Sequence, residues 1–307
     1  MRAALLPTPG NPHMLAYWLR NFETWREYVD ELVILVNGSH RVGQSFDPMI
    51  RIVSTPERMG HDGAMRWLLE NTEADHVVLC EDDAYVRDPA AVDFAFASIE
   101  ERLTDIVGSP RHEDYASSPL SDNWPRYPTD SREELRRGLW PAFLFARRAD
   151  LLATDRIFGD RRWTVGDRID GWRMVTPEDA EYVGIAPDYI HLDTLFGTTF
   201  QLRAQGLRID LVHHVRLFDA EATEQWIAED PPWFHVTGLS TLDQLDWPLD
   251  QLPDYGPGGG LWTRRLAWWR RVGIDIEPFL ARADIDRDEL RRWDERFELW
   301  APTAVPA

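Results

Sequence analysis

Apolar residues follow two rhythms that alternate over the first hundred positions of this chain. Ala3 to Leu6 is a short apolar run closed by Pro7-Thr8-Pro9-Gly10. Between 13 and 29, Leu15, Trp18, Leu19, Phe22, Trp25 and Tyr28 recur every three or four residues, the spacing of one helix face. Leu32 to Val36 reads as a buried strand ended by Asn37-Gly38, Met49 to Val53 as another, and His76 to Cys80 as a fourth. Between the last two, His61 to Glu70 places Met65, Leu68 and Leu69 on one helical face. Strands alternating with helices predict a largely parallel α/β sheet with right-handed crossovers. Ligands of such sheets bind beyond the carboxyl ends of the strands. Asn37 and the triplet Glu81-Asp82-Asp83 both fall at such ends.

The second half is less regular. Residues 110 to 138 are polar and rich in Pro and Ser, which predicts a long connection or flap. Leu139 to Ala146 is apolar and returns to the sheet. Thr194 to Gln205 has helical spacing and stops at Gly206, a suitable C-cap, before a strand over Leu207 to His213. Residues 253 to 260 are a Pro/Gly linker, and 261 to 299 are helical in two or three pieces. The expected organisation is 1–110 and 111–250 as two halves of one domain, with 251–307 as a C-terminal helical extension.

Composition narrows the picture. The 307 residues are 44% hydrophobic, enough for a substantial core and against global disorder. No apolar run is long enough to span a membrane, and Met1 to Pro7 does not read as a signal peptide, so the expected location is the cytoplasm. A net charge of -20 disfavours nucleic acid and anionic membranes as partners. A local exception stays open, because arginines outnumber acids between 131 and 173, and Arg264, Arg265, Arg270 and Arg271 cluster later. The chain has no lysine, which excludes a Walker-type phosphate loop and Schiff-base chemistry. Its single cysteine, Cys80, excludes an intrachain disulfide and a cysteine zinc cluster, and its apolar strand predicts a buried thiol. The 15 tryptophans are explained mostly by core packing.

Glu81-Asp82-Asp83 crowds three carboxylates after a buried strand. Crowded carboxylates repel, and a hard divalent cation with oxygen ligands relieves the repulsion. A solvated acidic turn leading to a helix near Asp88-Pro89 is the competing account.

Here the sequence resembles the GT-A fold glycosyltransferases, especially the inverting family-2-type enzymes. Leu5-Leu6-Pro7-Thr8-Pro9-Gly10-Asn11 is similar to their opening strand and turn. Val33-Ile34-Leu35-Val36-Asn37-Gly38-Ser39 is similar to their second strand, with Asn37 where that family usually has Asp. Gly60-His61-Asp62-Gly63-Ala64-Met65-Arg66 resembles their Gly-rich turn into a helix, and Glu81-Asp82-Asp83 their DXD-type metal motif. The pieces occur in the expected order over residues 3 to 83.

The resemblance implies a Rossmann-like, mostly parallel sheet flanked by helices. It implies a metal-dependent transferase that moves one sugar from a UDP- or GDP-sugar to an acceptor hydroxyl, with Mn²⁺ or Mg²⁺ as cofactor. Pro7, Thr8, Asn37, Asp62, Arg66, Glu81 and Asp82 would contact the donor, and Asp83 would be the main metal ligand. Each has an ordinary alternative: Asn37 as a turn residue, Asp62 as a helix cap, Arg66 as an exposed helix arginine. Ile190-His191-Leu192-Asp193-Thr194 resembles the acidic motif at the family's acceptor site, which makes Asp193 the candidate general base, or simply a helix N-cap. His235, in Trp233-Phe234-His235-Val236-Thr237-Gly238, resembles a late metal-ligating histidine, with His213 and His214 as competitors. The family's processive members carry Gln-x-x-Arg-Trp; here Glu289 stands before Arg291-Arg292-Trp293, and single-sugar transfer is expected. The alternatives are a retaining GT-A enzyme and a non-catalytic sugar-nucleotide or carbohydrate binder. The acceptor is not legible, and a modified nucleic-acid base stays among its candidates. The C-terminal helices suit a cap on the core, a cover for the acceptor cleft or a homodimer contact.

Overall fold

A computed structural model describes residues 1–37, 42–55, 57, 59–110, 139–154, 161–168, 174–177, 189–192, 195–212, 214–216, 232–235, 260–280 and 286–300. The first half follows the predicted alternation: β1 (Arg2–Thr8), α1 (Pro12–Phe22), β2 (Glu31–Val36), β3 (Ile50–Ser54), α2 (His61–Glu70) and β4 (His76–Cys80). It continues with β5 (Ala84–Val86), α3 (Pro89–Glu100), β6 (Ile106–Pro110), β7 (Leu139–Arg147) and α4 (Arg148–Leu152). Then come β8 (Arg161–Thr164), β9 (Tyr189–Leu192), α5 (Phe196–Ala204), β10 (Ile209–Leu211), β11 (His214–Arg216) and β12 (Trp233–His235). The chain closes with α6 (Gly260–Arg271), α7 (Glu277–Leu280) and α8 (Arg287–Trp300).

Seven strands form the main sheet in the order β10-β6-β7-β4-β1-β2-β3. It is mostly parallel, as expected, with β7 running antiparallel between β4 and β6. Alternation within the strands buries both faces. Ala4, Leu6, Ile34, Val78 and Phe145 point into a layer formed by α1, α3 and the C-terminal helices. Ala3, Leu5, Val33, Val77 and Leu144 point the other way, onto α2, α4 and α5. Cys80 is wholly buried at the end of β4, and burial pushes its thiol pKa up.

The helix predicted over 13–29 stops at Phe22 and is followed by a single 3₁₀ turn at Arg26–Tyr28. The turn keeps Trp25 fully buried, so the apolar spacing outlasts the helix that suggested it. Asn11 caps α1 by accepting from the His13 and Met14 amides, with Pro12 at the first helical position. Gly206 ends α5 as predicted: its φ of 78° is left-handed, and Leu207 N donates to Leu202 O at 3.2 Å. The strand expected over 207–213 shortens to Ile209–Leu211. Among the described residues of the extension there are three helices, with Trp268, Trp269, Trp293 and Phe297 buried, so α6 and α8 cap the core. Among the described residues no helix is long and apolar enough to cross a membrane. The connection at 111–138 and the linker up to 259 lie outside the described residues.

Candidate metal and nucleotide site

The acidic triplet leaves β4 at its carboxyl end, where β1 and β2 also finish. Directly after it, β5 turns away from the main sheet and pairs antiparallel with β12. Ala84 lies opposite His235 in that register. The pairing carries the late histidine back to the triplet. His235 Nε2 lies 2.9 Å from Asp83 Oδ1 and 3.1 Å from Glu81 Oε2. One donor atom from each of Glu81, Asp83 and His235 falls within 4.8 Å of the other two. Asp83 and His235 are buried, at 2% and 3% exposure.

Asp82 faces elsewhere. Its Oδ2 accepts from the Thr8 hydroxyl at 2.8 Å, and that hydroxyl in turn accepts from Gly10 N at 3.0 Å. Glu81 and Asp83 thus share one side and Asp82 the other, although β4 ends at Cys80 and the triplet lies in a turn that Ala84 N closes on Glu81 O at 3.2 Å. Burial, then the neighbouring Asp83 charge, push the Asp82 carboxyl up to about 8. Burial works against a charged His235, but the Asp83 and Glu81 carboxylates outweigh it and raise its pKa to about 9. A protonated imidazole therefore bridges the two acids at neutral pH. A divalent cation would supply positive charge at the same point, and two carboxylate oxygens plus one imidazole nitrogen form a donor set that fits Mn²⁺ better than Mg²⁺.

A cavity of about 320 Å³ opens beside these groups. Pro7, Thr8, Asn37, Glu81, Asp82 and Asp83, all expected from the sequence, line it. Asn37 closes its wall by gripping one backbone unit twice: Nδ2 donates to Met59 O at 2.8 Å, and Oδ1 accepts from Met59 N at 2.7 Å.

Two expected donor contacts lie apart. Arg66 pairs with Glu70 at 2.6 Å on the exposed face of α2 and is not among the lining residues. Asp62 is also not among them, and Gly60 rather than Asp62 holds the N-cap position of α2, with Asp62 in the first turn. Conversely, the lining includes Pro9, Met59, Gly60 and His61, which sequence reasoning did not assign. His61 Nε2 is 3.5 Å from Glu81 Oε1. Its signal was present: a histidine at the first position of a helix entered from a strand end. Asp193 and His213 lie outside the described residues, as does the side chain of His214. Two positions beyond Asp193, Leu195 has a φ of 69°, an uncommon conformation for a branched side chain.

No protein-family model matches the chain, and no curated protein matches it. Among solved structures, S. aureus TarS 1-349 is similar at 11% identity and a TM-score of 0.43, over 98% of this chain and 72% of that one. The mannosyltransferase PcManGT from Pyrobaculum calidifontis, in complex with GDP-Man and Mn²⁺, is similar at 16% identity and a TM-score of 0.37, over 57% and 54%. Glucosyl-3-phosphoglycerate synthase from Mycobacterium tuberculosis, in complex with Mn²⁺ and UDP-Glc, is similar at 19% identity and a TM-score of 0.35, over 50% and 58%. The matches thus span little more than half of the latter two proteins, and at these identities and scores the chemistry of this chain is judged from its own residues.

Proposed function

We propose that the chain is a metal-dependent glycosyltransferase that moves one sugar from a nucleotide-diphosphate sugar to an acceptor hydroxyl, with inversion at the anomeric carbon. The observation that carries this reading is the convergence of Glu81, Asp83 and His235 at the carboxyl end of β4, beside a cavity that Glu81 and Asp83 line. That is where an open α/β sheet binds its ligands. The walls supply the rest of a nucleotide site: apolar Pro7, Pro9 and Met59 for a base, and Asp82 for a ribose hydroxyl. A bound Mn²⁺ or Mg²⁺ would place positive charge beside the diphosphate that departs.

Asp193 is the proposed base, on the strength of the sequence resemblance. Its carboxylate takes the acceptor hydroxyl proton as that oxygen bonds to the anomeric carbon, and the bond from this carbon to the diphosphate breaks with its electron pair. Three protein ligands with no cysteine among them leave room for substrate oxygens on an ion that takes six.

The test is a panel of UDP- and GDP-sugars incubated with the chain and Mn²⁺. The expected result is release of nucleoside diphosphate from one donor class, abolished by EDTA. Tight donor binding that ignores the cation, with no release, would replace the enzyme with a binding protein. A product that keeps the donor's anomeric configuration, read by NMR, would remove the role given to Asp193.

A further inference from the structure

Segment 81–86 is short and carries two of the three candidate metal ligands, and its strand, β5, has only three residues. One edge of β5 pairs with β12. The other edge faces α1. There the Asn21 amide makes the two bonds that an opposing strand residue would make. Nδ2 donates to Val86 O at 2.6 Å, and Oδ1 accepts from Val86 N at 2.9 Å. One helical turn earlier, the Trp18 indole N–H donates to Glu81 O at 3.1 Å. Helix α1 therefore holds the segment at both ends, through groups that are themselves buried.

We infer that Asn21 and Trp18 are positioning residues for the metal site. Asp83 and Ala84 lie between the two anchored carbonyls, and Ala84 fixes the register of His235. Slack in the segment shifts Asp83 and His235 together against Glu81. Metal ligation tolerates only small errors in distance, about 0.2 Å. Asn is one of few side chains that offer a donor and an acceptor on one planar group, and Asp cannot replace the bond to Val86 O.

This inference rests on the metal site proposed above, and its test reads the ion directly. Mn²⁺ binding to the full chain is followed by the EPR signal of the free ion. Asn21→Asp is expected to raise the Mn²⁺ Kd by about tenfold or more, as for other groups that orient a metal's ligands. Trp18→Phe, which keeps the aromatic packing and loses one donor, is expected to raise it several-fold. Leu15→Ala, a buried change on the same helix, lowers thermal stability and leaves the Kd of the folded protein unchanged. If Asn21→Asp does not fold, Trp18→Phe decides alone. Unchanged Kd values in the folded variants overturn the inference while the metal site stands. A wild-type chain that does not bind Mn²⁺ overturns the site itself.

Discussion

His235 Nε2 lies 2.9 Å from Asp83 Oδ1, although 152 positions separate the two residues. The contact depends on the antiparallel pairing of β5 with β12, which sets Ala84 opposite His235. Replacing Asp83 by Asn keeps the shape and removes the charge. Turnover is expected to fall by about 100-fold or more, equivalent to about 3 kcal/mol, and Mn²⁺ binding to weaken with it. Full-rate turnover by Asp83→Asn would show that the ion, if used, is held elsewhere.

Metal binding should release a proton. Without an ion, His235 stays charged up to about pH 9. Ligation needs the neutral imidazole, so Mn²⁺ affinity rises with pH from roughly 6 towards 9, by about tenfold per unit. Calorimetry at neutral pH in two buffers of different ionisation enthalpy should report close to one proton lost per ion. Equal heats in both buffers would contradict the assignment.

The metal-free protein should also become less stable as pH rises. The Asp82 pKa is raised from 3.8 to about 8, and that of His235 from 6.5 to about 9. Both groups bind protons more tightly when folded. Their stabilising contributions are complete below the unfolded values and are lost as pH climbs through the folded ones. The two groups should therefore lower the melting temperature in EDTA over roughly pH 4 to 8 for Asp82 and roughly pH 6.5 to 9 for His235, and most clearly between about 6 and 9, where both act. Asp82→Asn still accepts from the Thr8 hydroxyl and should melt above wild type at pH 8. A melting temperature that climbs over this range would contradict both shifts.

Arg66 provides a contrast. Its ion pair with Glu70 lies on an exposed helix face. Arg66→Ala should cost about 0.3–0.5 kcal/mol in stability and leave the donor KM within about twofold. A KM raised by an order of magnitude would restore the donor contact that the sequence suggested.

Much of the architecture is legible in the amino-acid order alone. Local apolar runs encode β1, β2, β4 and α2, because both faces of these strands and one face of α2 are buried. The triplet is legible as crowded acids, but the turn after β4 that directs Asp82 to Thr8 is not. What escapes a linear reading depends on distant pairing. β5 and β12 have three residues each, too few to show a period, and only their mutual register brings His235 to Asp83. Asn21 looks like an ordinary helix residue until Val86 lies beside it. Arg66 sits in the motif but pairs with Glu70 and is not among the residues that line the cavity, since a motif match does not fix helical phase. His61 carries a local signal as the first residue of a helix, but only the approach of α2 to the end of β4 brings it near Glu81.

Cys80 turns the same geometry into something that can be timed. It is the chain's single thiol, wholly buried and next to Glu81. A thiol reagent can reach it only when the end of β4 parts from its neighbours. The labelling rate of the unmodified protein therefore counts those openings. A cation held by Glu81 and His235 would tie that end of the strand to β12, so the same clock should slow as cation is added.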